Sequence, residues 1–326
     1  MRIWQTRRRW QIRPRQIRPW QAASGAAALL VAMAAMTAAR ADEVLKICLD
    51  EELPPLSVHH RGKPDSGFDV ALAQAIAGRL GRPLQIQWFE SKLDEDSSPA
   101  LEANALLSDG RCSLVGGYAL TKDSLVVPGV KTAKPPDFEG ATRDDRRRRV
   151  PLGVLVPSQA YIYSPLTIAL GPKARDRRIT GVGDLAGLRI GIESGTLADA
   201  ILMRFDNGRL IDDITHLVPG RDDLLGTLDR GDLDATLLDL RRLDAYRATH
   251  PDTKLAGSGY FYPIGANRGY VGLASDPGLL VAVNQALTDL QAAGTIAQLG
   301  QAAGLTYLPP REPMILGDVW QQILQK

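Results

Sequence analysis

The chain has 326 residues, 44% hydrophobic and 23% charged, with 39 Lys and Arg against 37 Asp and Glu. Eight of the arginines and none of the acids lie in the first 41 residues, so the other 285 carry 31 basic against 37 acidic residues, a net charge near −6. That balance argues against a basic nucleic-acid binder, and the length suits two lobes of ordinary size around a large core.

Residues 1–41 have the three zones of a secretory signal. Arg2, Arg7, Arg8, Arg9, Arg13, Arg15 and Arg18 form a basic start, residues 26–38 an uncharged apolar stretch, and Ala39-Arg40-Ala41 a small-residue cleavage site. The expectation is cleavage after Ala41 and a soluble, periplasmic product. The apolar stretch is shorter than the roughly 20 residues that span a bilayer, an uncleaved anchor being the other reading. Thr6-Arg7-Arg8-Arg9-Trp10 hints at a twin-arginine signal, which Gln11 and Ile12 fit poorly, so the export route stays open. No later segment is long and apolar enough to cross a membrane.

Leu45-Lys46-Ile47-Cys48-Leu49-Asp50 alternates and then stops at Glu51-Glu52-Leu53-Pro54-Pro55-Leu56, which reads as a strand opening into a fixed turn. Gly67-Phe68-Asp69-Val70 leads a helix whose apolar spacing ends at Gly81, a suitable C-cap. Residues 83–89 read as a second strand, 93–99 as an acidic loop, 100–107 as a short helix and 112–118 as a strand ending in a glycine pair. Strand, helix, strand, helix, strand begins a parallel doubly wound sheet. Residues 124–159 break the rhythm with Pro135-Pro136 and the charged run Arg143 to Arg149; they read as an irregular insertion, either a solvated excursion or a docking loop.

Order returns at 166–170. A helical turn follows at 179–187, and then a strand at 188–192 that opens into Glu193-Ser194-Gly195-Thr196 and a helix at 197–205. Such a turn at a helix start can bind an anion through unpaired N–H groups, or Thr196 can simply cap the helix. Further expected elements are a helix at 222–230, a strand at 233–239 ending in Asp239, a helix at 241–248, strands at 255–262 and 270–274, and helices at 276–292 and 296–303. Cys48 and Cys112 are the only cysteines. On neighbouring parallel strands of an exported protein they could form a disulfide; the alternative is two buried free thiols.

Together, Cys48-Leu49-Asp50 with Pro54-Pro55, Gly67-Phe68-Asp69-Val70, Gly191 with Ser194-Gly195-Thr196, Asp234-Ala235 with Asp239, and the helix at 276–292 followed by Gly294-Thr295 resemble the periplasmic solute-binding proteins of the amino-acid type, solute-binding protein family 3. The resemblance covers nearly all of residues 45–304. It implies an α/β, two-lobed type II periplasmic-binding-protein fold with a cleft between lobes and two crossover strands. Lobe one would be 42–165 plus 265–326, with 124–159 inserted, and lobe two 166–264.

The resemblance also implies a monomer that is no enzyme, uses no cofactor or metal, contacts no nucleic acid, and carries a small-molecule ligand to an ABC permease of the inner membrane. Ligand-binding candidates are Asp50, Gly117, Tyr118, Thr121, Gly195, Thr196 and Asp239. Where amino-acid binders place a carboxylate-clamping arginine, this chain has Ser124, and Leu53 and Leu56 replace stacking aromatics. A pocket with two carboxylates and no such arginine would prefer amines or neutral solutes over zwitterions.

Other chemistry finds weak support. His59-His60 is a tandem pair whose side chains would point oppositely on a strand, a poor metal site. No nucleophile elbow, phosphate loop or HExxH pattern occurs. Some proteins of this fold are small dehydratases, in which Glu193 or Asp239 could serve as a general acid. The cysteine placement also resembles accessories of quinoprotein dehydrogenases, which would give the 143–149 run a docking role.

Overall fold

The computed structural model describes residues 43–91, 98–126 and 129–317. The secretory signal read at 1–41 and most of the acidic loop at 93–99 lie outside the described residues.

Strand β1 (Leu45–Asp50) is followed by the short hairpin β2 (Glu52–Leu53) and β3 (Ser57–Val58), then by α1 (Phe68–Leu80). Gly67 has φ +120°, and a Cβ there would lie 2.4 Å from the Leu56 carbonyl oxygen, so only glycine lets the chain turn into α1. Gly81 closes the helix in the left-handed region at φ 63°, as the spacing predicts. Strand β4 (Leu84–Glu90), α2 (Pro99–Ser108) and β5 (Leu114–Ala119) complete the first βαβαβ run. Pro99 occupies the first turn of α2 and Ser98 caps it by accepting from the Leu101 N–H at 3.3 Å, which fixes where the helix starts.

The stretch expected to be irregular holds a short helix, α3 (Lys122–Leu125), and the two-residue strands β6 (Thr132–Ala133), β7 (Asp137–Phe138) and β8 (Val150–Pro151). It ends earlier than expected, because β9 runs from Leu155 to Leu170. Pro157 and Pro165 interrupt the alternation, and burial on both faces of a central strand removes it elsewhere. The second half then has β10 (Ile190–Glu193), α4 (Leu197–Arg204), β11 (Ile214–Leu217), α5 (Leu224–Asp229), β12 (Ala235–Asp239) and α6 (Leu240–Thr249). Strand β11, flanked by Asp213 and largely exposed, carries no alternating signal and is absent from the sequence reading.

The two strands expected at 255–262 and 270–274 are one, β13 (Ala256–Leu273). Its glycines and Pro263 mimic turns, and its register against β9 shifts at four places, so bulges absorb what looked like a break. Helices α7 (Pro277–Ala292) and α8 (Thr295–Ala302) close the set.

Among the described residues these strands make a nine-stranded sheet in the order β11-β10-β12-β9-β13-β5-β1-β4-β7. The β1, β4 and β5 pairings are parallel, as are β10 with β11 and β12, while β9 and β13 run antiparallel to their neighbours in the middle. Two helical layers cover each half. In the first half α1, α7 and α8 pack on one face around Phe68, Leu72, Ile76 and Val283, and α2 packs on the other around Leu106 and Phe138. In the second half α4 covers Ile190, Ile192 and Leu237, while α5 and α6 cover Leu228 and Leu243. Long β9 and β13 belong to both halves, a mixed α/β architecture of two cores joined by two shared strands.

Cys48 on β1 and Cys112 just before β5 form a disulfide with a Cα–Cα distance of 5.6 Å across 64 residues of sequence. The parallel pairing of β1 with β5 brings them together. No helix among the described residues is long and apolar enough to cross a membrane.

Candidate functional site

In the first half the strand ends gather Asp50, the Leu53–Leu56 turn and Gly117. The Asp50 carboxylate accepts from the Glu52 N–H at 2.9 Å, and its main-chain carbonyl accepts from the Ser57 hydroxyl at 2.6 Å. Burial pushes the Asp50 pKa up, against the opposing pull of that N–H bond. Behind it lies Asp69 at the start of α1, fully buried. Gly117 N–H donates to the Tyr161 hydroxyl at 2.8 Å, which donates in turn to Asp69 Oδ1 at 2.8 Å. Asp69 Oδ2 has no partner, and burial raises the carboxyl pKa to about 7.

In the second half Glu193 ends β10 and Asp239 ends β12, where it caps α6 by accepting from the Arg241 N–H at 2.9 Å. Arg242 grips Glu193 with two hydrogen bonds, one of 2.8 Å to Oε1, so both carboxylate oxygens are engaged. Arg268 on β13 reaches between the halves: it donates to the Gly117 carbonyl at 2.7 Å and to Ser164 at 3.1 Å, and lies 3.6 Å from Asp239 Oδ2. Arg241 crosses the gap, Nη1 donating to the Pro54 carbonyl at 2.6 Å. Its Nε is buried without a partner, and burial together with the Arg268 charge brings its pKa down to about 10. A cavity of about 230 Å³ opens here, polar on the side of Glu193, Thr196, Asp239 and Arg241 and apolar where Leu166, Ile192 and Leu197 face it.

The structure matches the L-cystine solute receptor of Neisseria gonorrhoeae, in its unliganded open conformation, with a TM-score of 0.56 and 17% identity over 82% of this chain and 95% of that one. It matches substrate binding domain 2 of GlnP from Lactococcus lactis at 0.55 and 21% identity, over 78% and 93%. An ancestral cationic amino acid solute binding protein matches at 0.55 and 17%, over 83% and 98%. The chain has the two-lobed solute-binding fold. No protein-family model and no curated protein matches it by sequence.

The cavity lies in the second half, at the C-terminal ends of β10 and β12, and Arg241 in its lining bonds the Pro54 carbonyl of the first half. Thr196 and Asp239 line it. Asp50 and Gly117 do not line it; Arg268 bonds the Gly117 carbonyl, and Arg241 bonds the Pro54 carbonyl in the turn that follows Asp50. Gly195 is beside Thr196, yet its N–H donates to the Asp199 carboxylate at 2.8 Å, so the anion turn is closed on itself. The Thr196 hydroxyl caps α4 through the Asp199 N–H at 3.1 Å.

Tyr118 and Thr121 are placed elsewhere. Tyr118 is buried with Cys48, Phe89 and Leu106 and donates to the Ser124 carbonyl; burial pushes its pKa above the usual range. Thr121 and Ser124 form a reciprocal capping box on α3. Both line a separate cavity of about 350 Å³.

A larger, open depression of about 810 Å³ beside β7 is lined by charged side chains including Glu51, Arg61 and Glu139. The 230 Å³ cavity is the better site, because among the described residues it joins the strand ends at Glu193 and Asp239 to Arg241, whose Nη1 bonds the Pro54 carbonyl of the first half. Among the described residues no cluster of His, Cys, Asp and Glu could hold a metal ion.

Arg241, Arg268 and Tyr161 escaped the sequence reading, and Asp69 appeared there only within the Gly67-Phe68-Asp69-Val70 motif, not as a candidate site residue. One signal for Arg241 was available: two arginines in the first turn of a helix oppose its dipole, which asks for a reason outside the helix. A carboxylate flanked by Phe68 and Val70 on an otherwise buried helix face was the corresponding signal for Asp69.

Proposed function

We propose that the chain binds a small polar solute in the cleft between its lobes, outside the cytoplasm, and delivers it to an ABC permease. The observation that carries this reading is the Arg241 to Pro54 hydrogen bond, which joins lobe two to lobe one beside the cavity. A group that both borders the cavity and bridges the lobes makes ligand binding and closure one event, since a solute touching both sides favours the closed arrangement. Asp50, Gly117, Thr196 and Asp239 are the residues assigned to the two faces of the site.

The sequence-based preference for amines needs revising on charge. The arginine missing at Ser124 is offset by Arg268, 3.6 Å from Asp239 Oδ2, and by the charge of Arg241, which Asp239 influences from nearby. The test is thermal-shift screening of the exported protein against amino acids, amines, carboxylates and neutral metabolites. A true ligand at 100 times its Kd adds about 2.7 kcal/mol of stability, a shift of a few degrees. Absence of a shift from every class would refute a solute-binding role.

A further inference from the structure

We propose that one face of α6 and the segment after α8 form a clasp that biases the two lobes toward the closed arrangement before any solute binds. The clasp belongs to the two-lobed fold and needs nothing in the cleft.

Three positions of α6, at the i, i+3, i+7 spacing that aligns on one side of a helix, meet the first half. Arg241 Nη1 donates to the Pro54 carbonyl at 2.6 Å. Asp244, one turn on, accepts twice from Thr306: Oδ2 from its N–H at 2.8 Å and Oδ1 from its hydroxyl at 2.9 Å. Ala248, a further turn on, comes so near to Gly304 that a Cβ there would lie 3.8 Å from its own. Residues 304–307 are fixed to lobe one, because Leu305 is buried in the core that holds Phe68 and Ile296, and Tyr307 packs against that core. Thr306, between those two, is left to face lobe two.

Asp244 is 3% exposed, and Thr306 supplies both of its hydrogen bonds. A carboxylate so withdrawn from water depends on its donors. Further along the segment, the Leu308 carbonyl accepts from the Tyr163 N–H of β9 at 2.9 Å, and the Arg311 guanidinium lies 4.9 Å from the Tyr163 ring centre. Leu316 then ties the halves a second time: its side chain is in the second core, while its N–H donates to the Leu120 carbonyl at 3.0 Å and its carbonyl accepts from the Lys122 N–H at 2.8 Å.

Pro54 lies in the turn after β1, and Arg241 follows the end of β12, so their contact is at the strand ends that border a cleft. A rotation that draws those ends apart carries α6 with lobe two and parts Asp244 from Thr306 in the same movement. Contacts made in one arrangement and lost in the other shift the balance between the two, as a ligand would.

Double electron–electron resonance tests this on the full-length exported protein, dialysed free of small molecules, with spin labels on Arg79→Cys of α1 and Arg204→Cys of α4, both exposed positions. The parent should populate the closed distance without solute. Asp244→Ala should move the closed-to-open ratio roughly 10- to 100-fold toward open, the range for losing hydrogen bonds to a charged group. Thr306→Val should move it the same way by less, and Asp244→Asn, which keeps an acceptor oxygen for Thr306, should lie between parent and Asp244→Ala. A parent with only the open distance overturns the clasp, as do folded variants whose distributions match the parent's. Should Asp244→Ala fail to fold, Thr306→Val and the parent decide alone by the same criteria. Because no solute is present, either failure leaves the solute-binding reading intact, and the thermal-shift screen tests that reading separately.

Discussion

Asp69 shows how one residue can join fold and site. It sits in the first turn of α1, where a carboxylate suits the helix dipole, yet it is fully buried and only one of its oxygens is bonded. Its proton balance has a defined sign. The folded pKa of about 7 is raised above the ordinary value near 4, so the native state binds a proton that the unfolded chain has released. The stability from this group is complete below the unfolded pKa and is lost as pH rises through about 7.

Urea unfolding of the parent and Asp69→Asn at several values between pH 4 and 8 should therefore show the parent losing ground to the variant as pH rises, by a few kcal/mol in total. An unchanged difference across that range would mean that Asp69 does not titrate there. Gly117 gives a second residue-scale expectation. Its φ is +66°, and an added Cβ would lie 2.8 Å from Asp69 Oδ2. Gly117→Ala should lower the melting temperature and weaken solute binding together, because the same turn presents the carbonyl that Arg268 holds.

Among the elements, β9 and β13 carry the connection between halves, and the chain after α8 adds to it. Asn267 in β13 is buried and acts as a peptide-like bridge to this segment: Nδ2 donates to the Arg311 carbonyl at 2.7 Å and to the Met314 carbonyl at 3.0 Å, and Oδ1 accepts from the Arg311 N–H at 3.0 Å. Thr306 bonds twice to the Asp244 carboxylate on α6, at 2.8 and 2.9 Å. Leu316 then packs in the second-half core while pairing with the backbone around Thr121 of the first. Asn267→Ala would leave several main-chain groups without partners, at a cost of about 2 kcal/mol, seen as a lower urea midpoint with unchanged slope.

The disulfide acts on β1 and β5 instead. Its closed loop is long, and in the chain-entropy account its loss costs about 4 kcal/mol. Reduction or Cys48→Ala with Cys112→Ala should lower stability by up to that amount without moving residues of the cavity, which lie in the other half.

At the scale of the molecule, the helices were the most readable part. Phe68–Leu80 and Pro277–Ala292 carry their own caps at Gly81 and Asp276, which are signals written within a few residues. The long central strands were read only in part, since Pro157, Pro165, Pro263 and the β13 glycines look like turns until the partner strands are known. Of the site, Asp50, Thr196 and Asp239 were legible as strand-end and cap positions. The arginines were not, because a charge on a helix start says nothing of what it faces.

Closure belongs to this scale as well. Small-angle scattering with and without a bound solute should show a smaller radius of gyration in the complex, and an unchanged radius would count against closure.

By itself the sequence determined the βα order, the α/β class, the two cysteines able to pair and the acidic strand ends, because period, capping and turn chemistry act over a few residues. Tertiary structure alone decided the charge pattern of the cleft. Arg241 and Pro54 stand 187 positions apart, and Arg268 and Gly117 151. Which carboxylates are neutralised, and which guanidinium keeps an unmet N–H, depends on contacts that no local pattern encodes.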